Sequence, residues 1–182
     1  TEATLNTIRA ARAITGKNKI AKVEGGYHGS HDQVSVSVRV NPAKAGERSH
    51  PDAMAATEGL GEGTLDQVVV MPFNETAIAR EILERHKDGL AAVIIEPMLG
   101  SVGMLPATPE FLAMLREFTT KNGVILIFDE VISYRAASGG AQEYYGITPD
   151  MTSLGKIIGG GFSIGAFGGS KEIMDLYDPT AA

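Results

Sequence analysis

Residues 91–130 read AAVIIEPMLGSVGMLPATPEFLAMLREFTTKNGVILIFDE, and this stretch decides the fold. It opens on Ala91 to Ile95, an unbroken apolar run that stops at Glu96–Pro97. It closes on a second such run, Val124 to Phe128, that stops at Asp129–Glu130. Between the two, Thr108 caps a helix through Thr119, with Pro109 at its first position. Phe111, Leu112, Leu115 and Phe118 fall on one face of that helix. Apolar runs without alternation are strands covered on both faces. Such strands, separated by amphipathic helices, predict an α/β fold with a parallel sheet.

The same grammar extends outward. Gln67 to Met71 reads as a strand, and Asn74 to Lys87 as a helix with Asn74 as N-cap and Ile78 and Ile82 inward. Residues 1–15 read as a helix, with Leu5, Ile8, Ala11 and Ile14 at helical spacing and Gly16 as terminator. Lys19 to Glu24 is a short strand that ends at Gly25–Gly26. Val34, Val36, Val38 and Val40 alternate strictly, which predicts a further strand stopped by Asn41–Pro42. Residues 41–64 carry no clear period and read as a long loop.

Composition narrows the function. The chain has 182 residues, a net charge of −6, 43% hydrophobic residues and no cysteine. It is apolar enough to bury a core, so a disordered chain is excluded. The acidic balance argues against nucleic acid as the main partner. Absence of cysteine excludes disulfides, thiolate metal sites and cysteine nucleophiles, and a cytoplasmic location is the simplest expectation. No apolar stretch approaches the length of a membrane span, so no membrane partner is expected. A helical pattern starting at once from Thr1 suggests a chain that begins inside a larger protein, without a signal peptide.

In parallel α/β sheets, ligands sit beyond the carboxyl ends of the strands. That rule selects the Tyr27 region, Glu96, Asp129–Glu130, and Gly155–Lys156 after the short segment Met151 to Leu154. Glu96 could be a strand-end carboxylate that holds a neighbouring loop. Asp129–Glu130 has three readings: carboxylates that are solvated or cap a turn, the metal-binding pair of an ATPase, or an Asp paired with a protonated ring nitrogen. The ATPase reading needs a phosphate loop. Gly16–Lys17 is followed by Asn18 and Gly155–Lys156 by Ile157, and neither fits the pattern. A non-catalytic nucleotide-binding scaffold is the alternative from another class.

Lys156 is flanked by Leu154, Ile157 and Ile158. Apolar company disfavours an ammonium, and a neutral amine forms a Schiff base with an aldehyde. Gly159, Gly160 and Gly161 let backbone approach a bulky group. Tyr27 has the flat face that stacks on a ring, although a packed core aromatic is the commoner outcome. His28 and His31 lie in a loop without a third ligand, so no metal is expected. Thr1–Glu2 opens a helix, where free N–H groups attract anions; an ordinary capping Thr explains it equally well.

Together the segments TEATLNTIRAARAITG, EGGYHG, AAVIIEPMLGSVGMLP, ILIFDEV and GGAQEYYGITPDMTSLGKIIGGGFSIGAFGG resemble the class III aminotransferases. The resemblance covers nearly the whole chain and is greatest to the branch of the glutamate-1-semialdehyde 2,1-aminomutases and their aminotransferase relatives. It implies the large domain of a fold-type I pyridoxal-phosphate enzyme, a three-layer αβα unit with a mostly parallel central sheet. Residues 1–182 would be the central part of that domain, with 31–64 as a loop or lid insertion.

The resemblance also implies roles. Lys156 forms the Schiff base with pyridoxal 5'-phosphate and, once released, shuttles the proton at the substrate carbon. Asp129 pairs with the ring nitrogen; Tyr27 stacks on one ring face and Val131 packs on the other. His28 lies beside the ring, Glu96 is a pocket residue, and Thr1 ends a phosphate cup. The implied partners are a small-molecule amino donor and a carbonyl acceptor, and a second copy of the chain that shares the active sites. The site is expected to be locally basic. Two departures bear on substrate: Ile132–Ser133–Tyr134–Arg135 where the family reads M-T-G-F-R, and Ser101 where aminomutases commonly carry Asn. Arg135 is a candidate partner for a substrate carboxylate. Amino transfer between molecules and amino transfer within one molecule both remain open.

Overall fold

A computed structural model describes residues 1–180. The last two residues of the expected 1–182 unit lie outside the described residues. The chain runs through helix α1 (Glu2–Thr15), strand β1 (Lys19–Val23) and two small strands, β2 (Gly46–Glu47) and β3 (His50–Pro51). Next come β4 (Val68–Met71), α2 (Thr76–His86), β5 (Leu90–Ile95), and the two-residue strands β6 (Met98–Leu99) and β7 (Leu105–Pro106). It continues with α3 (Pro109–Asn122), β8 (Ile125–Asp129), α4 (Gly140–Tyr145), β9 (Met151–Leu154), β10 (Ala166–Gly169) and α5 (Lys171–Met174).

Six strands form one sheet in the order β10-β9-β8-β5-β1-β4. All its pairs are parallel except β9–β10. Successive strand residues point to opposite faces, and each face has its own core. Ala21, Val23, Val93, Ile95, Leu126 and Phe128 pack with Ile82 and Leu83 of α2 and Phe111, Leu115 and Phe118 of α3. Ile20, Ile94, Ile127 and Met151 pack with Ile8 and Ala11 of α1 and Ile173 of α5. The result is the expected three-layer αβα unit with a mostly parallel sheet.

The long crossover helix forms for the reasons its sequence states. Thr108 Oγ1 accepts the Phe111 N–H at 3.2 Å, Pro109 occupies the first turn, and Gly123 ends the helix at φ 61°. Thr108→Ala is expected to cost about 1 kcal/mol, read by urea unfolding. An unchanged midpoint would mean that the Thr108 side chain contributes nothing to the cap.

Two expectations are corrected. Residues 34–40 are not a strand. Val34 ends a 3-10 turn, Val36 makes a single antiparallel bridge to Ala55, and Ser37 turns into the left-handed region at φ 48°. Val34 to Ser37 are all buried in succession, so the alternation of valines does not mark two faces. Asn74 is not the cap of α2, which starts at Thr76 after Glu75. Asn74 adopts φ 60°, a region its short amide tolerates, and bonds outward to Pro106 O at 3.0 Å and the Thr108 N–H at 2.9 Å. It ties the end of β4 to the start of α3.

Candidate active site

The carboxyl ends of β1, β5, β8 and β9 converge, as the strand-end rule requires. There a cavity of about 670 Å³ is lined by Thr1, Tyr27, His28, Asp129, Val131 and Lys156, together with Glu2 to Thr4, Gly29, Ser30, Leu154, Gly155 and Ser163 to Gly165. Six of the seven residues singled out from sequence therefore meet in one place. Glu96 and Arg135 are not among the lining residues.

Asp129 ends β8 and is 3% exposed. Its Oδ2 pairs with His28 Nδ1 at 2.9 Å, and its Oδ1 accepts the Val131 N–H at 3.2 Å. The two bonds fix both the carboxylate and the imidazole. His28 Nε2 is buried without a partner among the described residues. The His28 carbonyl accepts from Thr4 Oγ1 at 2.6 Å, which fastens the Tyr27–Gly29 turn to α1. Tyr27 is 44% exposed at the cavity wall, so its ring has an open face.

Glu96 works one step back. Its Oε2 accepts the Tyr27 N–H at 2.9 Å and its Oε1 lies 3.4 Å from the Gly100 N–H. Burial pushes its carboxyl above the usual carboxylate range, with His28 and the Tyr27 N–H pulling the other way. Of the two expectations for Glu96, the one found is the strand-end carboxylate that holds a neighbouring loop; it does not line the cavity. Glu130, read only as part of a strand-end pair, is fully buried and receives the Ala141 N–H, Gln142 Nε2 and Ser133 Oγ. It organises the 133–142 segment, which is the turn-capping reading of the strand-end pair.

At the opposite end, α1 begins. Thr1 stands at its N-cap position but makes no capping bond; its Oγ1 accepts the Ser30 N–H at 3.2 Å. The first-turn N–H groups of α1 thus have no side-chain cap. Gly29 sits at φ 105° against this terminus, where a Cβ would lie 2.6 Å from Thr1 Cα. Only glycine allows that approach.

Lys156 follows β9 at φ 43°, a left-handed conformation that costs a side-chain-bearing residue about 1–2 kcal/mol. It is exposed, and its neighbour Ile157 is 43% exposed. The enclosed apolar setting expected from Leu154, Ile157 and Ile158 is not found: Lys156 and Ile157 are both exposed at the start of a 3-10 turn, Lys156 to Gly159. Nor is the cavity basic. Lys156 is matched by Glu2 and Asp129, so an anion there relies on helix N–H groups more than on cations.

Residues 32–64 do not line the cavity. Their β2–β3 hairpin is tied to the region of α2, by an Arg48–Glu75 ion pair and by Arg85 donating to Ser49 O. A lid over the site is therefore not what this arrangement presents. Arg135 is exposed and outside the cavity, as is Ser101.

A parallel sheet carrying a lysine, a buried carboxylate and an aromatic at its strand ends, beside a helix N-terminus, defines a ligand-binding α/β enzyme unit. The sequence model described as "Aminotransferase class-III" matches residues 1–181, and the chain belongs to that family. The glutamate-1-semialdehyde 2,1-aminomutase of Methanosarcina acetivorans is 47% identical, over 100% of this chain and 42% of its own length. An omega-transaminase from Sphaerobacter thermophilus superposes with a TM-score of 0.95 at 50% identity, over 100% of this chain and 41% of that one. A transaminase with PLP bound superposes at 0.88 with 41% identity, over 98% of this chain and 40% of that one. The chain spans about two fifths of the length of the curated relatives it matches.

Proposed function

We propose that this chain is the cofactor-holding part of a pyridoxal-phosphate-dependent aminotransferase, one that moves an amino group from an amino acid or amine to a carbonyl acceptor. The observation that carries the reading is the meeting of Lys156, Tyr27 and the His28–Asp129 pair around one cavity at an uncapped helix N-terminus. The donor set fits the cofactor. A buried carboxylate suits a cationic ring nitrogen, an open tyrosine face and Val131 suit a flat ring, and free helix N–H groups suit a phosphate. When bound, the cofactor supplies an aldehyde for amines and a ring that withdraws electrons from the substrate carbon.

The chain's own residues do the rest. Asp129, held by His28 and the Val131 N–H, would favour a proton on the ring nitrogen. Tyr27 and Val131 would hold the ring, and Thr1 with the start of α1 would hold the phosphate. Lys156 would hold the cofactor through its amine and, once the substrate amine had displaced it, its freed Nζ would take and return the proton at the substrate carbon. Its strained turn fixes the direction in which the side chain leaves the backbone. A homodimer is part of this reading, supported by apolar side chains left in water beside the site: Phe162 is 86% exposed, Ile164 56% and Val102 49%. No described helix is long and apolar enough to cross a membrane.

The second reading is an aminomutase, favoured by the name and 47% identity of the Methanosarcina relative. One experiment on the full-length protein tests the class. Added pyridoxal phosphate is expected to give a yellow species that borohydride fixes to the peptide containing Lys156. A label on another lysine, or none, overturns the site. Glutamate-1-semialdehyde supplied alone then separates the two readings, since only the mutase turns it over without an amino acceptor.

A further inference from the structure

Lys22 is a cation that this chemistry does not use. It lies near the end of β1 and is fully buried, at 0% exposure. It falls on the same sheet face as Ile20, which packs with Val34 and Val36. Its Nζ donates to two backbone carbonyls, Val23 O at 3.1 Å and Val36 O at 2.7 Å. No other hydrogen bond among the described residues reaches the Val36 carbonyl. The segments around it form a stem: Ser37 N–H donates to Met54 O and Ala56 N–H to Ser35 O, and the 38–53 flap leaves and returns through that stem. From the stem, Ser37 O accepts the Gly25 N–H at 2.9 Å. Gly25 opens the turn that carries Tyr27, whose own N–H is held by Glu96.

We propose that Lys22 is a positioning residue: by holding the Val36 carbonyl it clamps the flap stem to β1 and so fixes the turn that presents Tyr27 to the cavity. An apolar side chain would fill the same space without the cost of burying an amine, but would leave that carbonyl unpaired. Ser37, at φ 48°, is the strained link the clamp holds in place.

Burial pushes the Lys22 pKa from its ordinary 10.5 to about 7, against the attraction of Glu96 and Glu24. Glu96 lies beyond the end of β5 and Glu24 just past Lys22's own strand. The stem residues 34–37 and 54–56, the buried face of α1 and strand β4 offer no charged side chain. The sign follows from linkage. The clamped state binds fewer protons than an opened, hydrated one, so the clamp tightens as pH rises from about 7 towards 10.5 and stays at its weakest below about 7, where both states carry the proton.

The test is hydrogen exchange in the full-length protein, with the cofactor arm resting on the proposed function. Protection of the Ser37 and Ala56 amides is expected to rise between about pH 7 and about pH 8.5. In Lys22→Met that slope is expected to vanish. Both amides should exchange at least about tenfold faster at the higher pH, while Ile127 in β8 keeps its rate. Affinity for pyridoxal phosphate, read by absorbance, should fall several-fold. Unchanged exchange at Ser37 and Ala56 overturns the clamp. Faster exchange with unchanged affinity overturns its link to the Tyr27 turn. Where Ile127 loses protection as well, Lys22→Gln is read instead, and a pH slope surviving in that variant overturns the proposal. A protein that binds no pyridoxal phosphate at all sinks the proposed function, while the exchange arm still judges the clamp.

Discussion

Lys156→Ala in the full-length protein is expected to lower turnover by at least about 10⁴-fold. The amine has two tasks in the proposed chemistry, bonding the cofactor and moving the proton at the substrate carbon, and both vanish with it. Among the described residues Lys156 is the one lysine lining the cavity, and Lys22 is buried with its Nζ on two carbonyls. The cavity's other holding groups are untouched, so the variant should still bind pyridoxal phosphate without a covalent link. Melting temperature should barely move, because Lys156 is exposed and makes no ion pair among the described residues. Steady-state kinetics, spectral titration and a thermal melt on one preparation separate these effects. Turnover within tenfold of the parent would remove Lys156 from the mechanism.

Asp129→Ala should lose both stability and activity, and Asp129→Asn separates the two. Alanine leaves buried His28 Nδ1 without a partner, a defect worth about 1–3 kcal/mol. Asparagine keeps the shape and an acceptor for the Val131 N–H, so most of the stability should return. The charge does not return, and with it goes the group that favours a protonated ring nitrogen. Turnover in the Asn variant is expected to stay down by about 10²–10³-fold, the scale for losing one well-placed electrostatic partner. A variant Asn enzyme within threefold of the parent would mean that the carboxylate serves only to hold His28.

The chain's framework was legible because its signals are local. Unbroken apolar runs at 91–95 and 124–128 and the Thr108–Pro109 start each act within a few residues, and the structure keeps them, with the helix running on past Thr119 to Asn122. Where the reading failed, the deciding partner lay far along the chain. The valines at 34–40 alternate as a strand does, but the segment meets only Ala55, and Ser37 turns the backbone away. Asn74 looks like a helix cap until Pro106 and Thr108 arrive to take its amide.

The site divides in the same manner. Strand ends are predictable places, so Tyr27, Asp129 and the Lys156 region could be marked before any contact was known. What each does there depended on the third dimension. Glu96 turned inward to the Tyr27 backbone, Arg135 turned to solvent, and the lysine expected in apolar surroundings stands in water. Lys22 carried a signal that was passed over, a lysine on the same face of a short strand as Ile20.

By itself, the sequence determined the parallel α/β class and the strand-end positions, because helix and strand periodicity and strand-end chemistry are written in neighbouring residues; its motifs carried the resemblance to the family. Only the tertiary structure decided that Asp129 is braced by His28, that Thr1 ties to Ser30 and leaves the helix start open, and that a buried lysine bonds the Val36 carbonyl. Those contacts join residues from 14 to 101 positions apart. A hydrogen bond forms only when folding brings its two ends within about 3 Å, a distance no local pattern encodes.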